Sequence, residues 1–334
     1  MKFSPRHQGG FVLVLTLWVL AITTVAASYF SERVARVVEL ARQSRQNVQA
    51  WIDLADTRAE ILFRIGTVPI TVNGLGVGSD AIALDDRPYR GLGTSVVRLQ
   101  DNRGLLNLNI VDDDRLHRFL GVLGIPGDQR ARMIDTLRDY IDEDNFRRLN
   151  GAEEKDYAEQ GLPPPRNSRL LTPWEAQRII SWRDKPQLWE KGQLAALTTT
   201  SFSVALNPNT APWQVLATLP GVTNEIAQAM ISRRRLQPIV SVDQVAALSG
   251  TSSQQLVFQI ITLPSDAIRI TQTAPGLPRA LQYNVSLTPN GEHAPWRIDY
   301  YTQTGFTYRD DKIEEIPELP PRLATPLPPV YPRS

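Results

Sequence analysis

The most extreme feature of the hydropathy pattern is an unbroken apolar segment near the N-terminus. Residues 11–30 read FVLVLTLWVLAITTVAASYF and contain no charged residue. About 20 apolar residues are enough for a helix to cross the ~30 Å hydrocarbon core of a bilayer. The segment therefore predicts a single membrane-spanning helix. A cleavable secretory signal is the alternative, but the segment is long for one and no Ala-x-Ala site leads out of it.

Apolar positions continue beyond this segment at a spacing of three to four residues. Val34, Val37, Val38 and Ala41 follow one another in this way, with Arg and Glu between them. This pattern is typical of an amphipathic helix. No Gly or Pro interrupts residues 11–65. The sequence therefore predicts one helix of about 55 residues, apolar in its first half and amphipathic in its second.

After residue 65, the spacing of apolar positions changes from that of strands to that of helices and then back to that of strands. Alternation predicts strands at residues 94–99, 105–111, 268–273, 280–287 and 296–304, with a turn at 288–291. Eight helices are predicted between them, at residues 115–123, 129–142, 172–180, 185–196, 212–219, 226–235, 241–248 and 253–260. Asp128 and Thr172 stand at N-cap positions, and Pro173 suits the first helical position. The pattern predicts an α+β fold in which an all-α domain is inserted into a sheet.

Composition narrows the functional classes. Lys and Arg total 36 against 35 Asp and Glu, a formal charge of +1, so no global basic field points to nucleic acid. The absence of Cys excludes thiol catalysis, disulfides and Cys-ligated zinc. Only His117 and His293 remain beyond the N-terminal His7, and neither has the spacing of a catalytic triad or a zinc site. The sequence therefore predicts a protein that is not an enzyme.

An acidic motif is the first candidate for chemistry. Residues 137–157 read LRDYIDEDNFRRLNGAEEKDY and concentrate carboxylates within about one loop. Such a density of oxygen ligands suits Ca²⁺, although Phe146 and Arg147 stand where an EF-hand needs a ligand and a turning Gly. The alternative is a solvated acidic turn in which Asp142 or Asp144 caps a helix.

The second candidate is a helical hairpin. Residues 207–248 resemble the helix-hairpin-helix of competence-type DNA receptors, which are also membrane-anchored and exported. In a DNA-binding hairpin, two glycines in the turn let backbone N–H groups touch a phosphate. Here the turn reads Pro220-Gly221-Val222-Thr223, so the second Gly is missing. Arg233, Arg234 and Arg235 could contact phosphate, yet a near-neutral chain offers little non-specific attraction. A compact helical module with no nucleic-acid partner is favoured, and a DNA-binding receptor is the alternative function.

The N-terminus resembles that of type IV pilin-like subunits. A short leader with Lys2 and Arg6 ends in Gly9-Gly10, and Phe11 opens the apolar helix. The resemblance implies that a prepilin peptidase cuts between Gly10 and Phe11 and methylates the new N-terminal Phe11. The basic leader predicts a cytoplasmic N-terminus, so the chain would span the inner membrane once with its bulk in the periplasm.

One departure narrows the resemblance. Most pilin-like subunits carry Glu at the fifth mature position, where it neutralises the N-terminal amine of a neighbour, but this chain carries Leu15. The chain thus resembles the K-type minor pseudopilins of the type II (general) secretion pathway, which lack that Glu. Residues 101–111, 137–157 and 206–222 match this family's sheet segment, acidic motif and asparagine-threonine motif.

This resemblance implies the site and the partners. The subunit would stand at the tip of the pseudopilus and initiate its assembly with I-type and J-type minor pseudopilins, below which the major pseudopilin adds. A structural Ca²⁺ would be held by Asp142, Asp144 and Glu153. The implied domains are a leader (1–10), an N-terminal helix (11–65, membrane-spanning over 11–30), a pilin-like core of antiparallel sheet and helix (66–111 and 265–310), a helical, helix-hairpin-helix-like insertion (112–264) and a Pro-rich tail (311–334).

Overall fold

The structure is a computed structural model that describes residues 9–201, 204–292, 294–305 and 315–321. Residues 1–8 of the predicted leader, residues 311–314 and 322–334 of the predicted tail, and His293 lie outside the described residues. The chain divides into two compact units, with the boundary between Ile52 and Asp53.

The first unit contains the apolar part of helix α1 (Gly9–Thr67). Its large side chains are exposed: Phe11 is 75% and Trp18 66% exposed. From Phe11 onward the helix is long and apolar enough to cross a membrane, with a mean hydropathy of 2.3 over its most apolar window and no part of that window buried. The predicted long apolar N-terminal helix is confirmed.

The second unit is organised around a five-stranded antiparallel sheet. The strands are β1 (Ile70–Thr71), β2 (Gly74–Leu75), β3 (Asp85–Arg90), β4 (Val96–Asp101), β5 (Leu106–Asn107), β6 (Thr198–Thr199), β7 (Ala267–Thr273), β8 (Ala280–Leu287) and β9 (Trp296–Thr304). The central sheet has the order β3-β4-β7-β8-β9, and β5 pairs with β6 in parallel. The strands predicted at 268–273, 280–287 and 296–304 are therefore confirmed. The one predicted at 105–111 shortens to two residues.

One face of this sheet is covered by the C-terminal part of α1. Ile61 and Ile65 of the helix belong to one apolar core with Val97, Ile270 and Tyr283 of the strands. These positions alternate along β4, β7 and β8, so the remaining positions of the same strands form the opposite face. That opposite face carries polar side chains.

The helices that follow α1 all lie between β4 and β7 in sequence. They are α2 (Asp113–Val122), α3 (Gly127–Ile141), α4 (Glu154–Glu159), α5 (Pro186–Trp189), α6 (Gln193–Leu197), α7 (Trp213–Leu216), α8 (Asn224–Leu236), α9 (Val242–Ser249) and α10 (Ser253–Leu256). They form a second apolar core around Phe119, Tyr140 and Trp182. Yet β4 and β7 are neighbours in the sheet, with Asp101 opposite Ile268. The α+β fold class is confirmed, while the domain limits stay a prediction.

Local details differ from the expectations. The helix predicted at 172–180 is a 3₁₀ helix, Pro173–Arg178. The one predicted at 185–196 divides into α5, a 3₁₀ turn and α6, because Lys191 and Gly192 adopt left-handed backbone angles (φ 53° and 68°). Asp128 is not an N-cap, since α3 starts at Gly127, two residues before the predicted start, and Pro126 is its N-cap residue. Strand β3 and helix α4 carry no clear period and were not predicted.

Residues 315–321 lie along the outer edge of β3. The Arg90 N–H donates to the Pro317 carbonyl at 2.8 Å, and the Leu319 N–H donates to the Arg90 carbonyl at 3.1 Å. Arg64 of α1 reaches the Pro320 carbonyl at 2.7 Å. This part of the Pro-rich tail thus covers a sheet edge that would otherwise expose unpaired backbone groups.

Candidate functional site

The acidic motif occupies the connection between α3 and α4. Asp142 is the residue at which α3 ends, and its N–H donates to the Arg138 carbonyl at 3.0 Å. Glu153 is the N-cap residue of α4, and its N–H donates to Asp156 Oδ2 at 2.9 Å. In Asp144, Oδ1 accepts the Phe146 N–H at 2.8 Å and so fixes a turn between the two helices. The structure therefore places all three predicted ligands on one loop and its flanking helix ends.

Glu153 is the most unusual side chain of this loop. It is only 6% exposed, and both of its carboxylate oxygens are buried with no hydrogen-bond partner among the described residues. Burial, together with repulsion from Asp139, Asp142, Asp144 and Asp156, raises the pKa of Glu153 to about 7. A buried carboxylate that receives neither a donor nor a cation is costly. Arg147 and Arg148 contact Asp156 and Asp139, but within the described residues no donor reaches the Glu153 carboxylate, so the loop keeps an excess of negative charge.

Two neighbouring oxygens share this condition. Asp142 Oδ1 is buried and has no partner within the described part of the chain, and burial together with repulsion from Asp144 raises the pKa of Asp142. Asn167 Oδ1 is also buried without a partner among the described residues. The Asn167 side chain belongs to the loop, because its Nδ2 donates to the Asp144 carbonyl at 3.0 Å and to Asn145 Oδ1 at 2.7 Å.

Asn167 was missed from the sequence. It lies beyond the acidic motif, in the proline-rich stretch before the 3₁₀ helix, and no spacing rule links it to Glu153. Its left-handed backbone (φ 48°), which Asn tolerates better than most residues, is the one local signal of an unusual role. The signal alone does not point to the acidic loop.

Asp139 has a different role from its neighbours. It is fully buried, and its carboxylate accepts the Arg148 N–H at 3.2 Å and lies 3.7 Å from Arg148 Nε. A Cβ on Gly151 would lie 1.8 Å from Asp139 Oδ2, so only Gly allows this close approach. Burial raises the pKa of Asp139, although the backbone donors oppose that rise. Asp139 ties the loop back onto α3.

The loop suits a cation by the type of its ligand atoms and not by their present arrangement. Among the described residues, no group of three or more His, Asp or Glu side chains is arranged to hold a metal ion as it stands. However, the four unpartnered oxygens belong to two carboxylates and one amide, which are hard ligands of the kind that Ca²⁺ prefers. The chain can therefore supply the ligands, provided that the side chains adjust.

The asparagine-threonine motif forms a buried hydrogen-bond hub on Asp101. Asp101 Oδ2 accepts from Asn207 Nδ2 at 3.0 Å and from Thr210 Oγ1 at 2.8 Å. Asp101 Oδ1 accepts from the Ser265 N–H and hydroxyl at 2.8 and 2.7 Å, and from the Arg103 N–H at 3.0 Å. All the acceptor capacity of this carboxylate is used within the fold, so the motif is structural.

The helical hairpin also uses its polar groups internally. The middle arginine, Arg234, donates to the carbonyls of Pro208 and Ala211 at 2.8 and 2.6 Å, and it lies 3.7 Å from Asp85 of β3. Gly221 has φ 71°, and a Cβ there would lie 2.3 Å from Thr251 Oγ1. The hairpin turn is thus packed against the loop after α9. The prediction that the chain has no nucleic-acid partner stays a prediction.

His117 is the one histidine among the described residues, and its contacts there give no catalytic arrangement. His117 Nε2 lies 3.3 Å from Arg130 Nη1 on the surface of the helical part. The described contacts of His117 include no acidic side chain with which it could form a catalytic dyad. Gly10 and Phe11, the predicted cleavage and methylation positions, lie in the first turns of α1.

Comparison with known proteins gives two matches to family models and a curated relative. Two segments, residues 99–188 and 206–260, match family models that are both described as type II secretion system protein K. A protein of Klebsiella pneumoniae named type II secretion system protein K is 28% identical over 170 residues, which cover 46% of this chain and 52% of that protein. The chain thus spans about half the length of this curated relative.

The fold has a solved counterpart. A chain in the crystal structure of the GspK-GspI-GspJ complex from the type II secretion system of enterotoxigenic Escherichia coli aligns with a TM-score of 0.55 and 16% identity. The alignment covers 79% of this chain and 98% of that one. Two segments of the chain are thus similar to type II secretion system protein K, and its fold is similar to that of a chain in the GspK-GspI-GspJ complex.

Proposed function

We propose that the protein is a minor pseudopilin that stands at the tip of the pseudopilus of a type II secretion system and initiates its assembly. The observation that carries this proposal is the pair of protein K segments, which includes the acidic motif and the asparagine-threonine motif. The protein would act by binding and assembly and not by catalysis. Its partners would be I-type and J-type minor pseudopilins, in keeping with the composition of the solved complex that shares its fold.

The tip position is supported by Leu15. In a growing filament, a Glu at the fifth mature position meets the amine of the preceding subunit, and an unpaired carboxylate in the bilayer costs a few kcal/mol. A first subunit has no preceding amine, so an apolar residue is the better choice. Leu15 lies in the exposed apolar part of α1.

The Leu15→Glu variant tests this position. The unpaired carboxylate should weaken membrane insertion by a few kcal/mol, but tip assembly should be nearly unchanged, because a first subunit has no preceding subunit to contact at this position. Gold labelling of the wild-type protein on isolated filaments is the direct readout, with the label expected at one end. A label distributed along the filament shaft would overturn the tip proposal.

Membrane insertion and processing follow from the same assignment. The leader would stay cytoplasmic, the prepilin peptidase would cut between Gly10 and Phe11, and the bulk of the chain would face the periplasm. Mass spectrometry of the N-terminus should find Phe11 bearing a methyl group. A retained leader would contradict this processing, and so would cleavage elsewhere.

We infer further that the loop of Asp142, Asp144 and Glu153 binds one structural Ca²⁺, with Asn167 as an additional oxygen ligand. The unpartnered oxygens and the raised pKa of Glu153 support this inference. When bound, the ion supplies positive charge that offsets the repulsion between these carboxylates. Calorimetric titration of the chelator-treated protein with Ca²⁺ should give saturable binding that Glu153→Gln weakens and Glu154→Gln leaves unchanged, since Glu154 is exposed.

A further inference from the structure

Several polar and charged side chains line a cavity between the polar face of the sheet and the helical part of the chain. The strands contribute Arg98, Arg269 and Thr304, and the helical part contributes Trp174 and Lys191. The cavity has a volume of about 60 Å³. A cavity of this volume holds more than one water molecule, so it has room for a small inorganic ion.

Arg269 is the central residue of this cavity. It is 3% exposed, and it donates from Nη1 to the Ala195 carbonyl at 2.5 Å and from Nη2 to the Ala196 carbonyl at 2.7 Å, both in α6. These acceptors are neutral, and within the described chain the guanidinium makes no ion pair. A buried cation without a contacting anion is costly. Its Nε is buried with no partner among the described residues.

Two more unpartnered groups line the same cavity. Trp174 Nε1 and Thr304 Oγ1 are buried without a hydrogen-bond partner in the described part of the chain, and Thr304 is 6% exposed. The indole and guanidinium N–H groups can only donate, and the hydroxyl can donate as well. The one kind of group that satisfies all three is therefore an acceptor, and a charged acceptor satisfies them best.

The charges around the cavity favour an anion. Lys191 and Arg98 add to the positive charge of Arg269, and Asp86 is the one carboxylate in the lining. Arg98 engages Asp86, since its Nη1 donates to the Asp86 carbonyl at 3.3 Å and lies 3.8 Å from Oδ2. Three cationic side chains thus face one carboxylate, which attracts both Arg269 and Arg98, and the balance of charge is positive.

The backbone around the cavity is also unusual. Asp86 and Lys191 have left-handed backbone angles (φ 63° and 53°), and they are two of four non-glycine residues with this conformation in the described chain. Gly192 follows Lys191, and a Cβ there would lie 3.1 Å from Trp174 Cη2. This close approach positions the indole beside the cavity. Conformations of this kind are held where the surrounding structure requires them, often at ligand sites.

We propose that this cavity binds one small inorganic oxyanion, phosphate or sulfate. Arg269 Nε, Trp174 Nε1 and Thr304 Oγ1 donate to its oxygens, and Lys191 and Arg98 contribute charge. Because Arg269 belongs to β7 and also holds the end of α6, the anion bridges the sheet and the helical part. The site is separate from the acidic loop and does not depend on the proposed role in secretion.

The test uses the full chain in detergent micelles, in calcium-free buffer, with inorganic phosphate and sulfate as probes. Nuclear magnetic resonance of ¹⁵N-labelled indole groups should show one Trp Nε1–H signal that shifts saturably, and this signal should be missing in Trp174→Phe. Calorimetry should give one site. Chloride at matched ionic strength should leave the signal in place.

Two variants and a matched control complete the test. Thr304→Val and the double variant Trp174→Phe/Thr304→Val remove donors without removing charge, and each lost donor should weaken binding by about tenfold. Trp189→Phe is the control, because Trp189 Nε1 already donates to the Trp182 carbonyl at 2.9 Å. If chloride shifts the Trp174 signal as phosphate does, the proposal is overturned. Unchanged binding in Thr304→Val and in the double variant would overturn it too.

Discussion

Two buried carboxylates illustrate how single residues divide between structure and function in this protein. Asp101 accepts five hydrogen bonds, and its charge is satisfied by the fold. Glu153 accepts none from the described residues, and four acidic neighbours repel it. The sequence shows both as acidic residues inside a recognisable motif. Only the surroundings of each carboxylate separate a structural hub from a candidate cation ligand.

The pKa of Glu153 predicts how stability depends on pH without Ca²⁺. The pKa is about 7 in the folded protein and near 4.5 when unfolded. Because the folded state holds the proton more tightly, stability should fall as pH rises from about 4.5 to 7 and then level off, by an amount on the order of 1–3 kcal/mol. Thermal unfolding of chelator-treated protein across this range measures the effect.

The Glu153→Gln variant and saturating Ca²⁺ provide the matched comparisons for this pH dependence of stability. Glu153→Gln removes the charge, so it should raise the thermal midpoint at pH 7 and remove this component of the pH dependence. Saturating Ca²⁺ should remove the same component in the wild type, because the ion compensates the carboxylate. A Glu153→Gln protein with an undiminished slope would assign the pH dependence to other groups.

At the scale of elements, the hairpin between α7 and α8 is held by its own neighbours. Thr251 Oγ1 donates to the Pro220 carbonyl at 3.0 Å, and the place of a Gly221 side chain is taken by Thr251 and by the Ser249 carbonyl. Arg234 is equally committed, to Pro208 and Ala211. The elements that resemble a DNA-binding hairpin in sequence are thus used for packing.

Gly221→Ala tests this packing. Gly221 and Gly250 both have positive φ, at 71° and 67°, but a Cβ on Gly250 meets nothing within 4 Å. Gly250→Ala should therefore cost about 1 kcal/mol of backbone strain. Gly221→Ala should cost about 2–4 kcal/mol, because overpacking adds to the strain. Thermal unfolding of the two variants measures the difference, and equal midpoints would contradict a packed turn.

The helices and strands that could be predicted from the sequence are those with a regular spacing of apolar residues. Strands β7, β8 and β9 alternate over seven to nine residues and were located to within one residue. Strand β3 reads DDRPYR, which contains Pro88 and almost no apolar residue, so alternation could not reveal it. Its pairing with β4 and the tail is a tertiary effect. The same limit applies to Asn167 and to the oxyanion cavity, whose residues are brought together only by the fold.

At the scale of the second unit, the tail segment protects an edge of the sheet. Ile316 is 8% exposed, and the backbone of residues 317–319 bonds to both sides of Arg90. A chain truncated after Gly305 loses these contacts and should be less stable by about 2–4 kcal/mol. It should also associate more readily through the open edge of β3.

A truncation after Pro321 is the matched control, because it retains every tail contact described above. Its thermal midpoint and its sedimentation behaviour should equal those of the full chain. The two truncations together separate the effect of the edge contacts from that of simple shortening. If both variants behave alike, the edge contacts contribute nothing measurable.

The hydrogen bonds of Asp101 indicate where the helical part of the chain could be exchanged for another domain. Asp101 is the last residue of β4, and its carboxylate accepts a hydrogen bond from Ser265, which lies just before β7. The 165 residues from 102 to 266 therefore leave and re-enter the sheet at one place. Strands β4 and β7 pair antiparallel, as the arms of an ordinary hairpin do. Replacing this whole stretch by a short turn should keep the strand register, although Asp101 and Arg269 would then lose their buried hydrogen-bond partners. The helical part is thus a cassette, and the position after Asp101 is a natural point at which to exchange it for another domain.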